Sequence, residues 1–314
     1  MTALALAAAV SIAFPREGQS LPYVPRCYVI GAVSDGATNV VVQGADVSVH
    51  PLGGWVTMVD LVEGLNVVTA GTATVSFNVA KKPPQGGASS GANSAARPPE
   101  KKYTKLPYAG DAPKPHPKGR RPDEITVVVD AGHGGKDTGA RSPHGLDEKD
   151  VNLLVAKAVK AALERRGYKV VMTREDDSFP ELYDRPKVAH ACGADAFISI
   201  HHNAPPLDKD PRKLRYHAIY AWNDIGSALA SALSRRLAET FGDSLANNGV
   251  PHANFAVTRN PEIPSCLVEV DFITTPEGEL DCWNRARQKR VAEAIAAGFD
   301  DWTGADSGGI IPAK

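Results

Sequence analysis

Between residues 26 and 80, apolar and polar positions alternate in short runs: CYVIG, TNVVVQG, ADVSVH, GWVTMVDL, NVVTA and TATVSFNVA. Turn signals at Ser34-Asp35-Gly36, Gly53-Gly54 and Glu63-Gly64 separate them, at the roughly 8–12-residue spacing of a small β-sandwich. No helical period runs through this stretch. From residue 123 the pattern changes. Ile125-Thr126-Val127-Val128-Val129-Asp130 is a continuous apolar run, as expected of a strand buried on both faces. Residues 148–166 place Val151, Leu154, Val155, Ala158, Ala162 and Leu163 on one helical stripe, which Gly167 ends. Strands are predicted over 169–173, 196–200, 218–222 and 266–270, and helices over 182–192, 225–240 and 277–298. This alternation predicts an α/β domain with a mostly parallel sheet flanked by helices, preceded by an N-terminal β-sandwich.

The remaining segments complete the organisation. Met1–Ala13, MTALALAAAVSIA, is apolar and ends in small residues, as a secretory signal does, although no Lys or Arg precedes the apolar run. Residues 1–22 are therefore expected to be a signal peptide and lead-in, the plain alternative being an N-terminal strand. The β domain is expected over 23–80, a linker over 81–122, the α/β domain over 123–302 and a disordered tail over 303–314. The linker is rich in Pro, Gly, Ser and Ala and carries ten basic residues against Glu100 and Asp111. It reads as a solvated tether, extended by like charges, with an anionic envelope surface as a possible partner at low salt.

Composition narrows the function classes. Over 314 residues, 43% hydrophobic and 23% charged is ordinary globular usage. A formal net charge of -1 argues against a nucleic-acid binder, and no apolar run is long enough to span a membrane. Cys27, Cys192, Cys266 and Cys282 are too scattered for a disulfide framework or a Cys-rich zinc module. Any metal must be held by His and carboxylates.

Such residues stand where the strands of an α/β sheet end. Asp130-Ala131-Gly132-His133-Gly134-Gly135-Lys136-Asp137 follows the first strand, Glu148 opens the helix after it, and His201-His202-Asn203 follows the strand over 196–200. Neighbouring strand residues face opposite ways, so only one of His201 and His202 can join a given site. Glu269 lies inside the apolar run Cys266-Leu267-Val268-Glu269-Val270-Asp271, a costly place for a carboxylate unless it is paired, hydrogen-bonded or on a metal. Two His and two Glu suit a catalytic zinc site with an open position for water. HExxH and the Gly-rich phosphate loops are absent.

Four ordered blocks carry a specific resemblance over residues 125–299. They are Val129 to Ala140 (VDAGHGGKDTGA), Glu148 to Leu153 (EKDVNL), Thr173-Arg174 with Leu182 and Arg185 running into Phe197-Ile198-Ser199-Ile200-His201, and Leu267 to Thr274 (LVEVDFIT). In these the domain resembles the zinc-dependent N-acetylmuramoyl-L-alanine amidases of the Amidase_3 family. The resemblance implies Zn2+ on His133, Glu148 and His201, with Glu269 as the catalytic carboxylate. It further implies attack of an activated water on the lactyl carbonyl of N-acetylmuramic acid in peptidoglycan, Glu269 passing the proton to the leaving amine of L-alanine. Asp130 and Asn203 are expected to orient the metal-bound imidazoles. Residues 26–80 resemble, more loosely, the small immunoglobulin-like modules of secreted wall enzymes, through Val29-Ile30-Gly31 and Gly64-Leu65-Asn66-Val67-Val68.

The chain departs from the family pattern at His202, where a small residue is usual, and at Val270-Asp271, which replaces a small residue and Gly. Competing readings are a zinc hydrolase of another peptidoglycan amide and a non-catalytic wall-binding module, which would have no need of Glu269. Peptidoglycan as substrate implies export to the periplasm or cell wall. The short segment between the strands at 196–200 and 218–222 leaves little room for a helix that plugs the site, so an open groove is expected.

Overall fold

The computed structural model describes residues 10–34, 36–83 and 117–304. Most of the basic tether and the tail beyond Gly304 lie outside them. Eight strands form the N-terminal module: β1 (Val10–Phe14), β2 (Ser20–Leu21), β3 (Arg26–Val33), β4 (Asn39–Val42), β5 (Ala45–Ser48), β6 (Gly54–Asp60), β7 (Gly64–Ala70) and β8 (Ala73–Val79). They make a three-stranded sheet, β1-β3-β6, and a five-stranded sheet, β2-β8-β7-β4-β5. Alternate residues Cys27, Val29 and Val33 meet Trp55, Val68 and Phe77 between the sheets. Tyr28 and Ile30 point the other way, into a smaller cluster that Leu207 of the second domain helps to cover.

This corrects the expected first boundary. Val10–Phe14 pairs antiparallel with β3, so the end of the stretch read as a signal sequence is a strand of the module. Short apolar residues suit either role, and here Val10–Phe14 lies along the edge of β3. Residues 1–9 lie outside the described residues.

The second domain comprises β9 (Thr126–Ala131), α1 (Glu148–Glu164), β10 (Lys169–Met172), α2 (Arg185–Ala191), β11 (Ala196–Asn203), β12 (Tyr216–Ala221), α3 (Asp224–Phe241), β13 (Ala246–Asn247), β14 (Ser265–Phe272), α4 (Pro276–Trp283) and α5 (Arg285–Thr303). The sheet order is β10-β9-β11-β14-β12-β13. β10, β9, β11 and β14 are parallel, and β12 is antiparallel to β14. The period of two divides each strand between two cores. Val127, Val129, Ile198, Ile200 and Val268 pack under α1, α3 and α5, whereas Val128, Phe197 and Leu267 pack with Ala189 of α2 on the opposite face.

The helix expected over 277–298 is two helices. Asn284 takes an extended conformation and its side chain accepts from Arg287 N, so it caps α5 and ends α4. The domain also begins before residue 123: Gly119 N donates to Thr303 O at 3.1 Å and Arg120 pairs with Asp195 at 2.6 Å. No disulfide joins the four cysteines.

One buried group makes the fold acid-sensitive. His217 on β12 is 0% exposed, and neither ring nitrogen has a hydrogen-bond partner. Burial pushes its pKa down to about 4, against the opposing field of Asp271. The unfolded chain, near a pKa of about 6.5, therefore takes up the proton first. His217's contribution is complete above about pH 6.5 and is lost as pH falls towards its folded value, at ~1.4 kcal/mol per pH unit. Replacing it with Leu should flatten the acid limb of stability by that slope between pH 6.5 and 4, read from urea midpoints. An unchanged limb would contradict this.

Candidate active site

The C-terminal ends of β9, β11 and β14 meet the N-terminus of α1, and there the site is built. His133 lies just past β9, Glu148 is the first residue of α1, and His201 and Glu269 face each other across the β11/β14 ladder. His133 Nε2 and His201 Nδ1 lie 3.2 and 3.1 Å from the same oxygen of Glu148, with the two imidazoles edge to face at 4.8 Å. Ligand atoms of all three residues lie within 4.8 Å of one another.

His133 reaches this position with a left-handed backbone, φ 59°, which costs a non-glycine residue on the order of 1 kcal/mol. Two buried guanidiniums hold it there. Arg174 donates to the carbonyls of Ala131 and Gly132, and Arg185 to those of Ala131 and His133, at 2.7–2.9 Å. Glycines make the approach possible. A Cβ on Gly132 would come within 2.2 Å of His201 Nε2, and one on Gly139 within 2.5 Å of Glu148 Oε2.

Charge is balanced across the cluster. His133 Nδ1 meets Asp137 Oδ2 at 2.9 Å. Burial opposes the imidazolium, but the carboxylates of Glu148 and Asp137 prevail and raise its pKa to about 10. Burial also disfavours the Glu148 carboxylate, yet the two imidazoles hold its pKa well below the usual carboxylate range. Asn152 Nδ2, Ala140 N and His202 N complete its hydrogen bonds at 2.9–3.2 Å. Glu269 behaves oppositely. Burial, reinforced by nearby Glu148, pushes its pKa well above the ordinary value, and Oε2 is buried without a hydrogen-bond partner.

The four principal residues expected from sequence thus come together. Of the adjacent pair, His201 faces the cluster. His202 points to the α1 side, 2% exposed, with Nδ1 2.8 Å from Asn152 Oδ1. The expected orienting residues differ. Asp130 touches neither imidazole; it accepts from Thr173, Ser199 and Arg185 and reaches His133 only through the Arg185 contact with its carbonyl. The Asn203 side chain makes no hydrogen bond to His133, Glu148 or His201 among the described residues. The direct partners are Asp137 and Asn152. Asn152, four residues after Glu148 on one helix, was legible as a same-face neighbour. Asp137 was not, because its approach to His133 depends on a turn, closed by Gly134 and Asp137 backbone bonds.

Asp271, the other departure from the family pattern, faces away from the His133–Glu148–His201 cluster. It binds Arg215 through both oxygens at 3.0 and 2.8 Å and Arg287 at 2.6 Å, so Arg215 is held against the fold. Between β11 and β12 the only helical element is the three-residue turn Pro211–Lys213. Among the described residues no helix covers His133, whose side chain is 23% exposed.

Known proteins resemble this second domain in sequence and in fold. The family signature described as N-acetylmuramoyl-L-alanine amidase matches residues 127–301. The uncharacterized protein YqiI of Bacillus subtilis is 34% identical over 184 residues, covering 56% of this chain and 84% of that one. N-acetylmuramoyl-L-alanine amidase AmiA of Escherichia coli is 33% identical over 217 residues, covering 55% and 74%. The solved structure of amidase AmiC2 of Nostoc punctiforme, 39% identical, superposes with a TM-score of 0.54 over 58% of this chain and 98% of that one. The chain belongs to the N-acetylmuramoyl-L-alanine amidase family of peptidoglycan hydrolases.

Proposed function

We propose that this amidase uses zinc held by His133, Glu148 and His201, and that Glu269 is its proton-transferring carboxylate. The observation that supports it is the pairing of two opposite environments. One carboxylate, Glu148, is fastened between two imidazoles. The other, Glu269, is buried with an orphaned oxygen beside them. Two nitrogens and one carboxylate oxygen converging with one side open suit a catalytic zinc. The carboxylates that hold a proton on His133 would favour a divalent cation in its place.

Bound there, zinc supplies Lewis acidity toward the lactyl carbonyl and the attacking water. The remaining work belongs to the chain. Asp137 holds the His133 ring through Nδ1 and fixes its tautomer. Asn152, Ala140 and His202 bind the Glu148 carboxylate and fix its direction. Glu269 takes the proton of the attacking water and returns it to the departing L-alanine amine. Its buried setting suits that cycle, because a carboxylate with a raised pKa holds a proton readily.

Export follows from the location of the substrate, outside the cytoplasmic membrane. No helix among the described residues is long and apolar enough to cross a membrane. The basic stretch 81–122 would loosely hold the enzyme to anionic envelope polymers, an attachment that salt should weaken.

Mass spectrometry of purified peptidoglycan tests the reading. Free stem peptides beginning with L-alanine should appear with the protein, vanish with a zinc chelator and return with added zinc. Intact muropeptides under all conditions, or release that survives chelation, would refute it.

A further inference from the structure

The N-terminal module is not a bystander on its tether. It touches the second domain at three places: the loops following β9 and β11, and the first turn of α4, which follows β14. Arg16 binds Thr138 and Asp147, Tyr28 N donates to Leu207 O at 3.1 Å, and His50 Nε2 lies 3.2 Å from Glu277. Because β9, β11 and β14 are parallel, these three segments follow the same edge of the sheet that carries His133, His201 and Glu269. The module therefore sits against the catalytic face. A cleft of about 320 Å3 remains between them, lined on one side by Phe14, Arg16 and Tyr28 and on the other by Gly139, Ala140 and Arg141.

The Arg16 contact bears directly on Glu148. Its Nη2 donates to Thr138 Oγ1 at 2.7 Å and to Asp147 Oδ1 at 2.9 Å. Those two residues are the ends of the loop 138–147. Inside that loop, Ala140 N donates to Glu148 Oε2 at 2.9 Å, and Ala140 O accepts from Glu148 N at 2.9 Å. Lys149 N closes it by donating to Thr138 O at 3.1 Å. The loop has little slack, since Gly139 already lies against Glu148 and His133. One guanidinium from the other domain thus ties both ends of the loop that aims a candidate metal ligand.

We propose that Arg16 is a positioning residue for Glu148, so that the docked module sets the metal affinity of the catalytic domain. The inference rests on the reading of Glu148 as a zinc ligand. Outer partners of metal ligands commonly affect metal affinity by about 10–100-fold, and the effect here is expected near the lower bound because Arg16 acts through the loop backbone.

The test is zinc affinity of the full chain, measured against a chromophoric chelator of known affinity, with folding checked by circular dichroism. Arg16→Ala should weaken zinc binding about tenfold. Arg16→Lys should recover part of it, since one ammonium can reach Thr138 or Asp147 but lacks the planar fork. His50→Ala, which breaks a docking contact away from the loop, should stay within about twofold of the parent, as an exposed pair is worth little. Unchanged affinity in Arg16→Ala would overturn the proposal. So would equal weakening by Arg16→Ala and His50→Ala, which would make docking in general responsible. If the unsubstituted chain binds no zinc that His133→Ala abolishes, the reading of Glu148 falls instead.

Discussion

Glu269→Gln should lower the rate of stem-peptide release by about a thousandfold, within the range attributed to a lost general acid-base group, while zinc still binds. The two halves of that expectation come from different observations. Glutamine matches the carboxylate in shape and cannot exchange a proton, so only the proton transfer is removed. The candidate ligands His133, Glu148 and His201 draw their hydrogen bonds from Asp137, Asn152, Ala140 and the His202 amide, and none of these involves Glu269. Stability should not suffer. Glu269 carries a buried oxygen with no partner, a group that costs free energy in the folded state, so the denaturation midpoint should be no lower than that of the parent. Timed product release by mass spectrometry and zinc content by elemental analysis read the two halves separately. Activity within tenfold of the parent would remove Glu269 from the proton path, and loss of zinc would make it a ligand.

That Glu269 stands in a costly place was legible from sequence, because it interrupts an apolar strand run, and the structure leaves one of its oxygens buried without a partner. His133 drew attention for a different reason: glycines on either side of it, just past a buried strand, leave local room for a metal or substrate. The choice between His201 and His202 followed from strand period as far as requiring that one of them leave the site. Which one leaves depends on α1, where Asn152 receives the His202 ring. What the sequence conceals is contact across distance. Arg16 meets Asp147 from 131 positions away, and no local period or composition marks either residue for the other. The break at Asn284 lay between these cases. An Asn before a charged helical run is a capping signal, but the apolar period continues through Trp283 and Val291, and the longer helix fitted equally well.

Asp130 shows why position at a strand end is an incomplete argument. It stands one residue after Val129 and three before His133, and sequence placed it beside the metal imidazoles. Its carboxylate instead turns into the α2 side of the sheet, 0% exposed, where it accepts from Thr173 Oγ1, Ser199 Oγ and Arg185 Nη1 at 2.5, 2.6 and 2.9 Å. The register explains the difference. Asp130 pairs with Ser199 in the β9/β11 ladder, so both side chains share one face and meet there. The backbone then turns at Gly132 before His133 enters the site.

Asp130→Ala should therefore act first on stability. It leaves the Arg185 guanidinium, 3% exposed, with only carbonyl partners, and breaking a buried ion pair from one side costs about 3–5 kcal/mol. Against a total stability of about 5–15 kcal/mol, that is a large fraction. Urea denaturation of the apo protein should show it as a lower midpoint at unchanged slope. A double-mutant cycle separates the pair from general damage. Replacing Asp130 and Arg185 together by apolar residues of similar size should cost less than the two single changes summed, since neither charge is then stranded. Removal of Arg185 also frees the carbonyl of His133, so the double variant should regain stability without regaining activity, the left-handed turn at His133 having lost a clamp. A cost under about 1 kcal/mol for Asp130→Ala would mean that the carboxylate is not the partner on which Arg185 depends.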